Sequence, residues 1–302
     1  MKPAELEHIM SADFSPRAMR REAIIAGLRT TSSTPHLMGI INATDDSFFA
    51  GSRYQAAAAV EQGLQMWRDG ATWIDVGGES TRPGALPVTV EEELARVIPI
   101  IEGLRAANSQ GLISIDTRHA VVAQAALQAG ADLINDVSGL RDPNMLDLVV
   151  SSGCGVCIMH MQGEPGSMQT NPTYGHCVQD IQSYLDQRLK ELINRGHDPR
   201  LICVDPGIGF GKTQQDNIAL LQAGRGMVVN EHVGLLWGVS RKSLIGYLAQ
   251  QPEAKDRLAG TLGIAAIASS KGVDVLRVHD VREHADLFAS MKPFSGKAET
   301  AE

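Results

Sequence analysis

The chain has 302 residues, of which 43% are hydrophobic and 21% charged, an ordinary balance for a soluble globular protein. Its formal net charge of -8 excludes the broad basic face that a nucleic-acid backbone demands, while leaving room for a local cationic pocket. No stretch approaches the roughly 20 apolar residues of a membrane span, and Ala23–Leu28 is too short for the apolar core of an export signal.

In chain order, residues 1–35 read as a polar N-terminal extension rather than a domain. Strand-like runs are expected at Leu37–Ala43, Thr72–Val76, Leu112–Asp116, Asp132–Asn135, Val156–His160, Leu201–Asp205, Leu235–Val239 and Val273–Val278. Helical patterns follow them at about Gln55–Arg68, Thr89–Leu104, His119–Ala129, Asn144–Ser151, His176–Arg195, Asp216–Ala223, Arg257–Lys271 and Val281–Met291. Thr89 and Glu92 have the spacing of a capping box. Residues 292–302 read as a polar, flexible tail. Four cysteines (Cys154, Cys157, Cys177, Cys203) fit a reduced, cytoplasmic protein. Cys154 and Cys157 spell C-x-x-C, but no second pair follows at zinc spacing, so core packing is expected.

Strict strand–helix alternation over residues 36–291 points to one (β/α)8 barrel, with an open doubly wound sheet as the competing arrangement. Chemistry-bearing groups decide between them. Asn42, Asp75, Asp116, Asn135, His160, Asp205, Ser240-Arg241-Lys242 and Arg277 with His279 all fall at expected strand ends. A barrel gathers those ends at one mouth, whereas an open sheet spreads them along an edge. A single Asp or Asn there is often just a helix cap. Eight are too many.

The stretch Thr72–Gly84, read T-W-I-D-V-G-G-E-S-T-R-P-G, runs from a strand into a loop rich in ionisable and hydroxyl groups. Asp205–Thr213 reads D-P-G-I-G-F-G-K-T but is no nucleotide loop. Pro206 stands where a phosphate loop needs its first glycine, and Gly207, Gly209 and Gly211 miss the dinucleotide spacing. Phe210, the aromatic residue of that loop, is expected to face a ligand. Ser243 is the expected N-cap of the helix after strand seven, where free N–H groups favour an anion. Arg277 and His279 alternate onto one side of strand eight and suit a cluster of anionic oxygens. Asp116, Asn135 and Asp205 could read the donor and acceptor edges of a fused heteroaromatic ring, a sugar or a metal.

Motifs in order along residues 37–291 carry a resemblance to the dihydropteroate synthase family of pterin-binding barrels. They are M-G-I-I-N-A-T-D-D-S-F (38–48), D-V-G-G-E-S-T-R-P-G-A (75–85), S-I-D-T (114–117), I-N-D-V-S-G (134–139) and M-H-M-Q-G (159–163). D-P-G-I-G-F-G-K (205–212), S-R-K-S (240–243) and R-V-H-D (277–280) complete the set. The resemblance implies a (β/α)8 barrel, usually a homodimer. Its reaction joins 4-aminobenzoate to a pterin methyl diphosphate, releasing pyrophosphate in folate biosynthesis, and sulfonamides are its inhibitors. It also implies site roles. Asp116, Asn135, Met159, Asp205, Lys242 and Arg277 would hold the pterin. Asn42, Arg277 and His279 would take the diphosphate, with Mg2+ at Asn42. Phe48, Thr81, Arg82, Pro83, Phe210 and Ser243 would enclose the aminobenzoate. Arg277, His279, Lys242 and Asp116 would be the catalytic set.

The first loop departs from the family pattern N-V-T-P-D-S-F-S-D-G-G: Asp45 replaces the proline, Phe49 a serine and Ala50 an aspartate that helps hold the metal. Two rival readings are a catalytically weak pterin-binding paralogue and a methyltetrahydrofolate methyltransferase. The intact Ser80–Gly84 loop and the Arg277–His279 pair count against the methyltransferase.

Overall fold

The computed structural model describes residues 17, 19–32, 34–43, 53–80 and 84–294. Eight strands form a closed parallel barrel: β1 (His36–Asn42), β2 (Trp73–Gly77), β3 (Leu112–Asp116), β4 (Leu133–Asp136), β5 (Gly155–Met159), β6 (Ile202–Asp205), β7 (Gly234–Trp237) and β8 (Val275–Val278). β8 pairs back onto β1, with Met38 opposite Arg277. The outer layer comprises α2 (Arg53–Arg68), α3 (Val90–Ala107), α4 (Ala120–Ala129), α5 (Met145–Ser152), α6 (Cys177–Asn194), α7 (Gln214–Ala223), α8 (Ser243–Ala249), α9 (Leu258–Ala268) and α10 (Val281–Met291). The (β/α)8 expectation is met. β8 starts later than the apolar run suggests, because the Val273 N–H closes the end of α9 through Ala268 O (3.1 Å) rather than joining the ladder.

Side chains on a strand alternate between two faces, and here the two faces have different jobs. Ile74, Val76, Ile113, Ile115, Ile134, Val156 and Ile158 point outward into the layer between barrel and helices. The inward positions at the N-terminal end of the barrel are Met38, Trp73, Leu112, Leu133, Cys157, Cys203, Leu236 and Val275, one from each strand. The two cysteines of C-x-x-C are therefore both core residues but on opposite faces, since a spacing of three reverses direction on a strand.

A further helix, α1 (Arg21–Leu28), plugs the bottom of the barrel with Ile24 and Leu28, which are an i, i+4 pair. Trp73 Nε1 donates to Gly27 O (2.7 Å). A Cβ at Gly27 would lie 2.9 Å from both Trp73 Nε1 and Leu112 Cδ1, so only glycine lets helix and barrel approach this closely. Asp132 anchors the same end, accepting from Arg20 Nε (2.8 Å), Arg105 Nη2 (2.7 Å) and Ile113 N (3.0 Å).

Two helices start on reciprocal capping boxes, Thr89 with Glu92 on α3 and Thr213 with Asp216 on α7. Ser243 differs from its expectation. Lys242 occupies the N-cap position of α8 without a side-chain cap bond, and Ser243 is the first helical residue. No described helix is long and apolar enough to cross a membrane.

Candidate active site

Continuing up the inward face from Trp73, Leu133, Cys203 and Val275 brings Asp75, Asn135, Asp205 and Arg277, two residues further along each strand. The bottom of the barrel is apolar and the next level is charged. On the row Asn42–Gly77–Asp116–Asn135, paired in register across β1 to β4, Gly77 leaves the space that the Asp116 carboxylate enters. A Cβ at Gly77 would stand 3.4 Å from Asp116 Cβ.

Arg277 binds these groups together. Its Nε donates to Asp75 Oδ2 and its Nη2 to Asp116 Oδ2, both at 2.6 Å. Asn135 Nδ2 donates to Asp75 Oδ2 at 3.2 Å. Asp75 is 0% exposed and lies inside β2, not at its end, so it faces Arg277 rather than solvent. Burial pushes the Asp116 carboxyl up against the pull of Arg277, and the neighbouring Asp75 adds to the rise. Burial alone would lower the Arg277 guanidinium, but Asp75 and Asp116 outweigh it and hold it fully charged.

The opposite wall comes from the loops after β6 and β7. Asp205 Oδ1 accepts from Gly207 N (2.7 Å), and burial raises its carboxyl against the pull of Lys242. Lys242 Nζ donates to Ile208 O (2.5 Å) and stands 4.4 Å from the centroid of the Phe210 ring. Burial lowers Lys242 to about 8. Phe210 packs against Val137, Met159, Met161 and Met168, an adaptable, polarizable wall suited to a flat ring. Gly207 and Gly211 have φ of +72° and +63°, and a Cβ on them would meet His160 O at 1.9 Å and Gln162 O at 2.6 Å. The glycines in this loop therefore permit close backbone contact with the segment after β5.

His279, next inward after Arg277, has its imidazole fixed by Ser240 Oγ at 3.0 Å from Nδ1. Asn42 ends β1, half-buried. Ser243 is exposed at the start of α8. Phe48, Thr81, Arg82 and Pro83, expected to enclose an arylamine, lie outside the described residues, as do Asp45, Phe49 and Ala50.

The structure adds partners that the motifs alone did not assign. Glu79, at the root of the Ser80–Gly84 loop, accepts from Arg118 Nε (2.8 Å) and Nη2 (3.0 Å) in a two-pronged pair. Arg241, at φ +58°, does the same with Asp280 through Nε (2.8 Å) and Nη2 (2.5 Å), joining the S-R-K-S and R-V-H-D loops. Lys212 Nζ lies 3.1 Å from His160 Nδ1. The interior place of Asp75 could have been read from its period-2 spacing to Trp73; pairings between distant loops leave no comparable local signal.

Residues 38–279 match the model of the pterin binding enzyme family. The dihydropteroate synthase of Haemophilus influenzae is 43% identical over 260 residues, covering 84% of this chain and 92% of that one. A solved structure of Xanthomonas albilineans dihydropteroate synthase with 4-aminobenzoic acid is 40% identical, with a TM-score of 0.79 over 87% of this chain and 94% of that one. The same enzyme in complex with 7,8-dihydropteroate is matched at 37% identity and a TM-score of 0.77, over 87% of this chain and 95% of that one. With the closed barrel and its charged upper level, these matches identify the chain as a member of the pterin binding enzyme family, among its dihydropteroate synthases.

Proposed function

We propose that the barrel mouth joins 4-aminobenzoate to 6-hydroxymethyl-7,8-dihydropterin diphosphate, giving 7,8-dihydropteroate and pyrophosphate. The observation that carries this reading is the juxtaposition of two recognition surfaces. One is the buried Asp75–Arg277–Asp116 cluster with Asn135. The other is the Phe210 ring under the Lys242 ammonium. In this reading Asp116, Asn135 and Asp205 take the amino and ring N–H groups of the pterin, Met159 lines its slot, and Lys242 and Arg277 border it. Nε and Nη2 of Arg277 are engaged by carboxylates, which leaves Nη1 for a diphosphate oxygen. His279 and Asn42 complete the diphosphate end. Phe210 and the stem of Lys242 flank the arylamine ring, Ser243 at the start of α8 meets its carboxylate, and Phe48, Thr81, Arg82 and Pro83 close over it. Sulfonamides, sharing the arylamine shape, would compete for that slot.

Cleavage of the carbon–oxygen bond puts positive charge on the pterin methylene and negative charge on the departing diphosphate. Arg277 and His279 favour that developing charge more than the ground state, which lowers the barrier. The arylamine nitrogen is neutral near pH 7, attacks with its lone pair and then sheds a proton to solvent. Exclusion of water from the cation falls to the loops over the mouth.

Mg2+ is part of the proposal. Among the described residues no group of three or more His, Cys, Asp or Glu side chains converges to cage an ion. A hard cation that arrives with phosphate oxygens needs only one or two protein oxygens, and the Asn42 amide oxygen is of the right kind. When bound, it would neutralise charge on the leaving diphosphate. Ala50→Asp should lower the Mg2+ concentration needed for turnover; an unchanged metal titration would count against this view of the first loop.

A homodimer and a cytoplasmic location belong to the same reading. The dimer is supported by exposed apolar groups on adjoining helices, Tyr247 and Leu248 on α8 and Ile267 on α9. The location is supported by four free cysteines, three of them buried. The deciding assay supplies pterin diphosphate, labelled 4-aminobenzoate and Mg2+ to pure protein. Labelled dihydropteroate is expected. Pterin binding without product would sink the synthase reading and favour a binding paralogue, and methyl transfer to a corrinoid would favour the methyltransferase.

A further inference from the structure

Lys212 is 3% exposed, and nothing in the proposed chemistry uses it. A buried ammonium is costly unless each of its protons finds a partner. Lys212 Nζ has three acceptors within reach: Phe210 O at 2.9 Å, His160 O at 3.1 Å and His160 Nδ1 at 3.1 Å. An ammonium carries three N–H donors, which matches these three acceptors when His160 presents Nδ1 as an acceptor. With Lys212 charged, His160 Nδ1 accepts and the imidazole proton sits on Nε2. Burial, Lys212 and Arg141 hold His160 neutral, down to about 3. Tyr184 packs edge-on to the same ring, with centroids 5.0 Å apart.

The loop that Lys212 closes needs such a clamp. Gly207, Gly209 and Gly211 all sit at positive φ, and a backbone so rich in glycine has much conformational freedom to lose. Between the last two lies Phe210, whose carbonyl Lys212 holds and whose ring faces Lys242. Tyr174 Oη donates to Gly211 O (2.6 Å), tying the next residue to the segment after β5 as well.

We propose that Lys212 is a positioning residue whose ammonium clamps Phe210 O to His160 at the end of β5, holding the Phe210 ring where it receives the arylamine. This rests on the reading of Phe210 as one wall of the arylamine slot. The clamp is sensitive to protonation, because loss of the charge turns its charge-assisted hydrogen bonds to the two carbonyls into weaker neutral ones. Burial lowers Lys212 to about 7, against the pull of Asp205 on β6. Cys177 and Asp216, at the starts of α6 and α7, also favour the charged form, and Lys242 opposes it. The charge is present below that value and lost as pH rises through it.

The test compares wild type, Lys212→Met and Lys212→Gln, the last keeping two donors on a shorter stem. The readouts are KM for 4-aminobenzoate, KM for the pterin diphosphate and kcat between pH 6 and 9. For Lys212→Met at pH 6.5, KM for the arylamine should rise about tenfold or more, the fold-change of one charge-assisted hydrogen bond, with KM for the pterin little changed. Lys212→Gln should fall between the two. In wild type the arylamine KM should climb as pH rises through the Lys212 transition near 7, and Lys212→Met should lose that part of the rise. Parallel loss of both substrates, or an arylamine KM unmoved by either variant, would overturn the proposal in an enzyme that still makes dihydropteroate. If neither variant folds, a wild-type arylamine KM that stays flat from about pH 6 to 8 overturns it. Absence of any product in wild type would instead refute the synthase reading itself.

Discussion

Asp75→Asn is the sharpest probe of the charged level inside the barrel. The carboxylate is sealed from solvent, and its Oδ2 accepts from Arg277 Nε at 2.6 Å and Asn135 Nδ2 at 3.2 Å. Asparagine preserves the shape and one acceptor oxygen but removes the charge. A hydrogen bond to a charged partner contributes about 1.5–3 kcal/mol and a neutral one about 0.5–1.5 kcal/mol. Arg277 keeps its own charge and its bond to Asp116 (2.6 Å), so the loss should equal the difference between the two, about 1–1.5 kcal/mol. If that energy aims Arg277 at the diphosphate, kcat should fall about 5- to 15-fold. The assay is pyrophosphate release with both substrates saturating, alongside a thermal melt. Stability should change less than rate, because the substitution also relieves a cluster in which two carboxylates share one guanidinium. A folded variant with kcat within about twofold of wild type would refute the argument that Asp75 aims Arg277.

Three other outcomes follow from the same geometry. Burial sets Lys242 near 8, and a lysine is charged only below its pKa, so kcat/KM should decline as pH rises through about 8. Lys242→Arg should remove that decline at whatever residual rate it retains; persistence of the limb would assign it elsewhere. Gly27→Ala should destabilise by about 1–3 kcal/mol in urea unfolding through overpacking against Trp73 and Leu112, and no shift in the midpoint would contradict the close approach of α1. Glu79→Gln should loosen the Ser80–Gly84 loop by weakening the Arg118 pair, raising KM for 4-aminobenzoate more than for the pterin. Equal changes for both substrates would refute a role confined to the arylamine loop.

How far the sequence could be read depended on the range of the interaction. The strand–helix alternation, the helix stripes and the Thr89–Glu92 box are set by neighbours a few residues apart, and they agree with the structure. The inward alternation of Trp73 with Asp75, or Val275 with Arg277, is equally local. Reading Asp75 as a strand-end group missed its interior place, because β2 runs through Gly77, a residue that looks like the start of a loop. Ser243 resembles a cap by residue type, yet the chain enters α8 with Lys242 drawn back to Ile208 O and Phe210, which makes Lys242 the boundary residue. The Arg118–Glu79, Arg241–Asp280 and Lys212–His160 pairs join loops that only barrel closure brings together. Nothing in residues 1–35 taken alone announces that Ile24 and Leu28 join an apolar cluster containing a residue from every strand.

That last arrangement bears on how the chain is made. α1 precedes every strand in the chain, but the apolar cluster it joins includes Leu236 of β7 and Val275 of β8. Roughly 250 residues separate the helix from the final strand, which at about 5–20 residues per second is some 10–50 s of synthesis. During that interval Ile24 and Leu28 have only a partial surface to meet, and no eight-residue helix is stable by itself. Docking of α1 is thus a late event that completes a closed sheet of high contact order. The helix serves as a seal on the finished barrel, and until it docks the apolar floor stays open to chaperones and to other nascent chains.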